Sequence, residues 1–427
     1  MRKEHLLKAT AALSVAFLML FTFAGPASAV VEPMTLAELI SKAETIVRGT
    51  VSKIEPHWNE DKTMIYTTVT LTVQSYLKGE TTASQVSIEV PGGTVDGLTL
   101  WVSDTPKFEE GQEVIVFLRK EYFQVVGWFQ GKYTIEDGVV VEKGMPVELF
   151  TAQIRAILQG VTPPPEPSAT SLAAETCPPT LSDFYAGIKW PGSCPTMDYE
   201  IYENTADTVG EGAAIQAAAQ TWTNVSNSCF AFSYAGPTTR SAPVYDGHNV
   251  LRWGSTGGSI ATNYVWYWGS DLLESDVVFE DNYLWSADPA GPPPNRMDVQ
   301  NIATHELGHA LVLVDLYQSC NSQLTMYGYA SYGETKKRSL EPGDEDGIRY
   351  IYPGELPTPT PTPTPCVIVG DVNDDGVVDI DDVMQTANHW RATAGEPDYD
   401  PNYDLDTDGD IDIVDIMIVV ANWGSSC

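Results

Sequence analysis

Five stretches in the first third of the chain, 45–53, 65–76, 85–90, 113–118 and 123–129, are dense in Val, Ile, Thr and aromatic residues. Turn residues separate them, among them Lys78-Gly79, Pro91-Gly92-Gly93 and Asp137-Gly138. Apolar, β-branched runs bounded in this way predict strands. A short helix over 36–43 is expected before the first. Residues 30–160 therefore read as an all-β barrel or sandwich. From 180 to 353 the pattern is mixed and predicts an α+β domain. The Ala-rich stretch 212–225 is expected to be helical with Trp222 on its apolar side. Residues 249–253 and 275–279 read as strands, with aromatic-rich loops between them. Ile302, Ala303, Ala310, Leu311 and Val314 then recur at helical spacing, and Asp298 stands where a cap would start that helix. A loop over 320–332 and a closing helix over 343–351 follow. The closing helix carries Asp344 and Asp346 near its start and Arg349 near its end, as the helix dipole favours.

Proline marks the boundaries. Residues 161–179 contain Pro163-Pro164-Pro165 and read as a linker open to processing. Residues 354–365 run into a Thr-Pro repeat, whose alternate prolines favour polyproline II and make a semi-rigid spacer. Residues 366–427 contain an internal duplication. A chain of 427 residues is long enough for these domains to bury separate cores. At the front, Arg2, Lys3 and Lys8 precede an apolar run over 11–24 and then Ala27-Ser28-Ala29. That is the pattern of a cleaved export signal, so a secreted chain beginning at Val30 is expected.

A net charge of −35, from 58 acidic and 23 basic residues, argues against nucleic acid and anionic membrane surfaces as partners. Six cysteines, at 177, 194, 229, 320, 366 and 427, suggest disulfides in an exported protein. Cys366 and Cys427 flank one module and are the expected pair. Residues 30–160 contain no cysteine and one histidine, His57, read as a surface residue. The pattern of that segment resembles an N-terminal domain common in exported bacterial proteins and assigns it no activity. A pro-domain occupying a catalytic cleft is one role open to it, without a thiolate to place on a metal.

Part of the acidity has a specific explanation. Asp371, Asn373, Asp375, Asp379 and Asp382 fall at positions 1, 3, 5, 9 and 12 of a loop, with Gly376 at 6 and the Val377 carbonyl at 7. Asp404, Asp406, Asp408, Asp412 and Asp415 repeat the spacing, with Gly409 at 6 and the Asp410 carbonyl at 7. This is the oxygen spacing of a twelve-residue calcium loop. Aspartate at position 12, one helix after each loop and a Pro/Thr linker in front together resemble a type I dockerin. The resemblance implies a small all-α module holding two calcium ions, and a cohesin domain of a scaffold or cell-surface protein as partner. His389 and Trp390 read as surface and packing residues.

The remaining motif is His305-Glu306-Leu307-Gly308-His309. Two imidazoles four residues apart share one helix face, where both reach one metal ion. Glu306 is turned by roughly 100° from His305 and can stand beside that metal as a general base for an activated water. A catalytic zinc takes three protein ligands and keeps one position open. Asp315 holds the register at which the metzincin metalloproteases, which this stretch resembles, carry a third histidine. Metzincin-like secreted proteases of the snapalysin type have Asp there. Thr325-Met326-Tyr327 resembles the Met-turn, whose methionine floors the zinc. Residues 344–352 resemble the closing helix of matrixin-type domains. The segment from Glu274 through Asp276 and Glu280 to Asp281 resembles their calcium-binding strand and acidic loop. The resemblance covers most of 190–353 and implies a zinc endopeptidase with Glu306 as base and His305, His309 and Asp315 as ligands. It departs at Val312, where the family has a glycine in a left-handed conformation. A β-branched residue is costly there, so either the helix ends differently or Asp315 is displaced. Glu334, at the place a gluzincin pattern would use, is the other candidate ligand, and Tyr327 or Tyr329 could stabilise an oxyanion. A reading from another class is a non-catalytic, dockerin-bearing binding component with a decayed protease fold.

Overall fold

The computed structural model describes residues 30–79, 82–119, 124–166, 187–354 and 368–426. The expected leader, the Thr-Pro run and the cysteines at 177, 366 and 427 lie outside them, and with these the expected Cys366–Cys427 pair. Cys320 is disulfide-bonded, to a partner outside the described residues. The chain divides into two compact units, Met1–Glu355 and Leu356–Cys427.

The first unit holds two large sheets. One runs β3-β2-β1-β6-β7-β8-β9, from β1 (Thr45–Trp58), β2 (Ile65–Lys78), β3 (Gln85–Pro91), β6 (Glu113–Leu118), β7 (Lys132–Glu136), β8 (Val139–Val140) and β9 (Met145–Pro146). Its core includes Ile46, Ile115 and Phe117, against which α1 (Leu36–Lys42) and α2 (Val147–Leu158) pack. The N-terminal region is therefore not all-β. In α2, Val147, Phe150, Thr151 and Ile154 lie on one buried face at helical spacing. The strand expected over 123–129 is absent over its described part. Val125 makes a single bridge to Leu118, then Gly127 at φ 64° turns the chain into a 3-10 turn, Trp128–Gly131.

The second sheet runs β11-β10-β12-β14-β13-β5-β4. Its strands β10 (Thr196–Tyr202), β11 (Ala231–Pro237), β12 (Val250–Gly254), β13 (Ala261–Trp268) and β14 (Asp271–Glu280) come from the region expected to be α+β. The last two, β4 (Gly93–Val95) and β5 (Leu98–Val102), come from the N-terminal region. The two regions thus share a sheet as well as an apolar cluster in which Leu98, Leu100 and Val102 meet Tyr264, Trp266 and Val278. Strand β13 falls where an aromatic-rich loop was expected. Its first six residues are all buried, so alternation, the pattern that marks a half-exposed strand, is missing.

Helices α3 (Glu211–Thr223), α4 (Val299–Ala310) and α5 (Pro342–Ile351) complete this unit. Nearly all of α4 is buried. Asp298 caps it by accepting the Asn301 N–H at 2.7 Å, and Arg338 pairs with the same carboxylate. The second unit contains α6 (Ile380–Asn388) and α7 (Ile413–Ala421) on a small core of Val378, Ala392, Ile411 and Val419. Among the described residues no helix is long and apolar enough to cross a membrane.

Candidate metal centre

Helix α4 brings His305 and His309 to one face, and the chain returns so that Asp315 meets both. Asp315 Oδ1 lies 3.0 Å from His305 Nε2 and Oδ2 lies 3.0 Å from His309 Nε2. The return depends on Val312. It adopts φ 61°, the left-handed conformation the expectation treated as too costly, and the helix ends with Leu313 N–H donating to the Gly308 carbonyl at 3.0 Å. Strain at a non-glycine left-handed residue is about 1–3 kcal/mol. Val312 is fully buried, and burying a valine returns about 1.5–3 kcal/mol. The helix turns in the expected place and Asp315 is not displaced. Glu334 lies elsewhere, 3.4 Å from Asn301 Nδ2 and beside Lys336 and Lys337.

The imidazoles are aimed from behind. His305 Nδ1 contacts the Thr325 carbonyl at 2.6 Å and His309 Nδ1 the Leu313 carbonyl at 2.8 Å. A carbonyl only accepts, so both Nδ1 atoms carry a proton, which leaves each Nε2 as the atom that faces Asp315. Burial pulls the His305 imidazole down to about 4 against the attraction of Asp315. Burial also works against a charged His309, but Asp315 and Glu306 together outweigh it and hold that imidazole up at about 9. Burial would raise Asp315, yet the two imidazoles hold it below the ordinary carboxylate range. Burial pushes Glu306 up to about 8, opposed by His309. Its Oε1 accepts the Val30 N–H at 3.4 Å, and its Oε2 is buried without a hydrogen-bond partner.

The donor set suits zinc: two imidazole Nε2 atoms, which a metal would take in their deprotonated form, and a carboxylate, all converging within 4.8 Å. A partnerless buried carboxylate oxygen beside them is the second sign of fit.

Asp344 was read from sequence only as a dipole partner of its helix. In the fold its buried carboxylate takes the N–H groups of Thr325 and Met326 at 2.8 and 3.1 Å, so α5 fixes the turn whose Thr325 carbonyl orients His305. Met326 is fully buried under α4, where a Cβ on Gly308 would run into its sulfur and crowd Trp222. Trp222 and Trp190 donate their indole N–H groups to the Thr304 and Ala310 carbonyls, and Asn263 of β13 donates to the Glu306 carbonyl at 2.8 Å. The contacts of Tyr327 and Tyr329 are with Lys336, Lys337, Tyr317 and each other.

The carboxylates of the acidic segment 274–281 meet backbone donors. Glu274 accepts from the Asp246 and Gly247 N–H groups, Asp276 from Val244 and Val250, and Glu280 from Thr256. Among the described residues no three acidic side chains of this segment converge on one point.

In the second unit both loops are wound for a cation. Asp371 and Asp404 accept the N–H groups of Gly376 and Gly409, and Asp382 and Asp415 reach back to Val372 and Leu405. Asp379 and Asp412 cap the following helices. The carboxylates of Asp404, Asp406 and Asp408 converge within 4.8 Å. Asn373, Asp375 and Asp408 accept the N–H groups of Asp375, Val377 and Asp410 in turn.

Residues 189–353 match the family model described as Matrixin, and residues 369–422 match the one described as Dockerin type I domain. No curated protein matches the chain. The chain carries a matrixin-like protease domain with a C-terminal dockerin.

Proposed function

We propose that this matrixin-like, dockerin-bearing chain is a secreted zinc endopeptidase tethered through its calcium-loaded dockerin to a cohesin. The observation that carries the reading is the convergence of His305, His309 and Asp315 with a buried, partnerless Glu306 oxygen beside them. Zinc held by the first three residues would supply Lewis acidity, making water a nucleophile at neutral pH and polarising a peptide carbonyl. Glu306 takes the proton from that water and returns it to the nitrogen of the departing amine. Asp344 and the Thr325 carbonyl keep His305 aimed, and Met326 floors the centre. The sequence of residues 1–29 supports export. Exposed Ile380 and Met384 on α6, and Ile413, Met417 and Val420 on α7, supply an apolar surface for a cohesin. A decayed, non-catalytic fold is the rival reading; Val312, the residue that hinted at it, takes the left-handed conformation in which the family has glycine, which supports the peptidase.

The experiment is metal analysis joined to peptide-library cleavage, on the whole chain and on chain nicked ahead of residue 187. One zinc per chain and cleavage abolished by Glu306→Ala are expected. Zinc bound without cleavage in either form, or in variants in which β13 has been freed of β5, would falsify the peptidase.

A further inference from the structure

The four side chains of the proposed centre are fully buried, and two residues of the N-terminal region, Trp101 and Val30, stand beside His309 and Glu306. Strand β13 would be the edge of its sheet were β5 not paired antiparallel to it, Val102 to Tyr264 through Leu98 to Trp268. The pairing continues past β5, where the Ser103 N–H donates to the Asn263 carbonyl at 3.0 Å and the Asn263 N–H to Ser103 Oγ at 2.8 Å. Asn263 is the residue that holds the Glu306 carbonyl. Trp101 of β5 stands edge-on to His309, ring centroids 6.1 Å apart.

A second segment continues along the same edge. Val30 is fully buried, and its carbonyl accepts the Ile260 N–H at 2.9 Å. Val31 donates to the Gly328 carbonyl at 3.1 Å and accepts from Ala330 at 3.3 Å, beyond the Met326 turn. The Val30 nitrogen stands 3.4 Å from Glu306 Oε1, where the amine of a cut peptide would receive its proton. Export cleavage after Ala29 would make that nitrogen the α-amino group of the chain. Behind these contacts Tyr317 donates to Asp104 at 2.7 Å and stacks on Phe129 at 4.6 Å.

We propose that the N-terminal region is an intramolecular inhibitor of the proposed peptidase, resting on that reading. Its β5 strand and its Val30–Val31 end occupy the two halves of the cleft as a peptide chain would. Exposed sheet edges recruit extended peptides through main-chain hydrogen bonds. Here the recruited strand belongs to the chain itself. It occludes by backbone pairing, with no thiolate on the metal. An ordinary domain interface would leave the reacting groups reachable; this one places backbone against the general base.

Three variants test the proposal. Trp101→Pro removes a main-chain donor facing β13, because Ser103 donates to Asn263 and antiparallel donors recur every second residue. A chain starting at Glu32 lacks the segment beside Glu306. Asp104→Ala, which removes the acceptor of the Tyr317 hydroxyl, covers the case in which Trp101→Pro fails to fold. Peptide hydrolysis and hydrogen exchange of the β13 amides are measured on each, the second readout needing no zinc. Both are expected to rise about tenfold or more, as losing roughly 1.4 kcal/mol of docking shifts the open population. Folded variants that hydrolyse no faster than the parent, with β13 still protected, overturn the inhibitor. Freed β13 amides with hydrolysis absent throughout overturn the peptidase instead and leave the occlusion standing.

Discussion

Around α4, the four side chains proposed for the chemistry are fully buried, and elements distant in sequence aim them. Thr325 orients His305 from 20 residues away, Asn263 holds the Glu306 carbonyl from 43, and Asp344 fixes the turn that carries Thr325 from 19. In the loops 371–382 and 404–415 every proposed ligand lies within twelve residues. Their longest internal bonds, Asp382 to Val372 and Asp415 to Leu405, span 10. The first centre is held by a domain core of tryptophans and aliphatics, the second by little more than Val378, Ala392, Ile411 and Val419. A site built by a core can stand without its ion, whereas a cluster of carboxylates with so little core behind it needs the cation to fold.

The largest effect that tests this contrast is catalytic. Glu306→Gln should lower peptide hydrolysis by about a hundred- to ten-thousandfold, the usual worth of a general base, with zinc content unchanged. Loss of zinc along with activity would mean that the centre is less rigid than its burial implies. Next comes calcium removal. A calcium-selective chelator should strip amide protection from α6 and α7 while α4 keeps its own, read by hydrogen exchange on one sample. Protection of α6 persisting without calcium would erase the contrast. Then Asp315→Asn should weaken zinc binding by about tenfold or more, and Glu334→Gln should leave it nearly unchanged, by competition with a zinc dye. The reverse order would move the third ligand to Glu334.

The smallest effect concerns Val312. Val312→Gly relieves left-handed strain but loses a buried side chain, so its unfolding free energy should lie within about 1 kcal/mol of the parent's, read by denaturant titration. Val312→Ala keeps the strain and loses the same packing, so it should be the less stable of the two. An alanine variant more stable than the glycine variant would show that strain is not stored there.

The duplicated acidic loops with a helix after each, and the two histidines with Glu306 on one helix, were legible because each pattern is local: a turn geometry or one helix face. Helix α4 began where Asp298 predicted. What escaped were features whose cause is a neighbour. Strand β13 hid because β5 and α4 cover it and erase its alternation, and α2 was missed among strands that it packs against. Asp344 passed as an ordinary helix-start acid because nothing in its own vicinity points to Thr325.

By itself, then, the sequence determined the ligand types, their spacing on a helix and in two loops, and the identity of the two recognisable domains. Tertiary structure alone decided three further things. It showed that Val312 is held left-handed by its burial, because local strain of a few kcal/mol yields to packing of similar size. It chose Asp315 over Glu334 as the carboxylate facing the histidines, because position in space depends on where the chain turns after α4. It also laid β5 and Val30 across the cleft, because an unpaired sheet edge takes whatever strand the fold can bring to it.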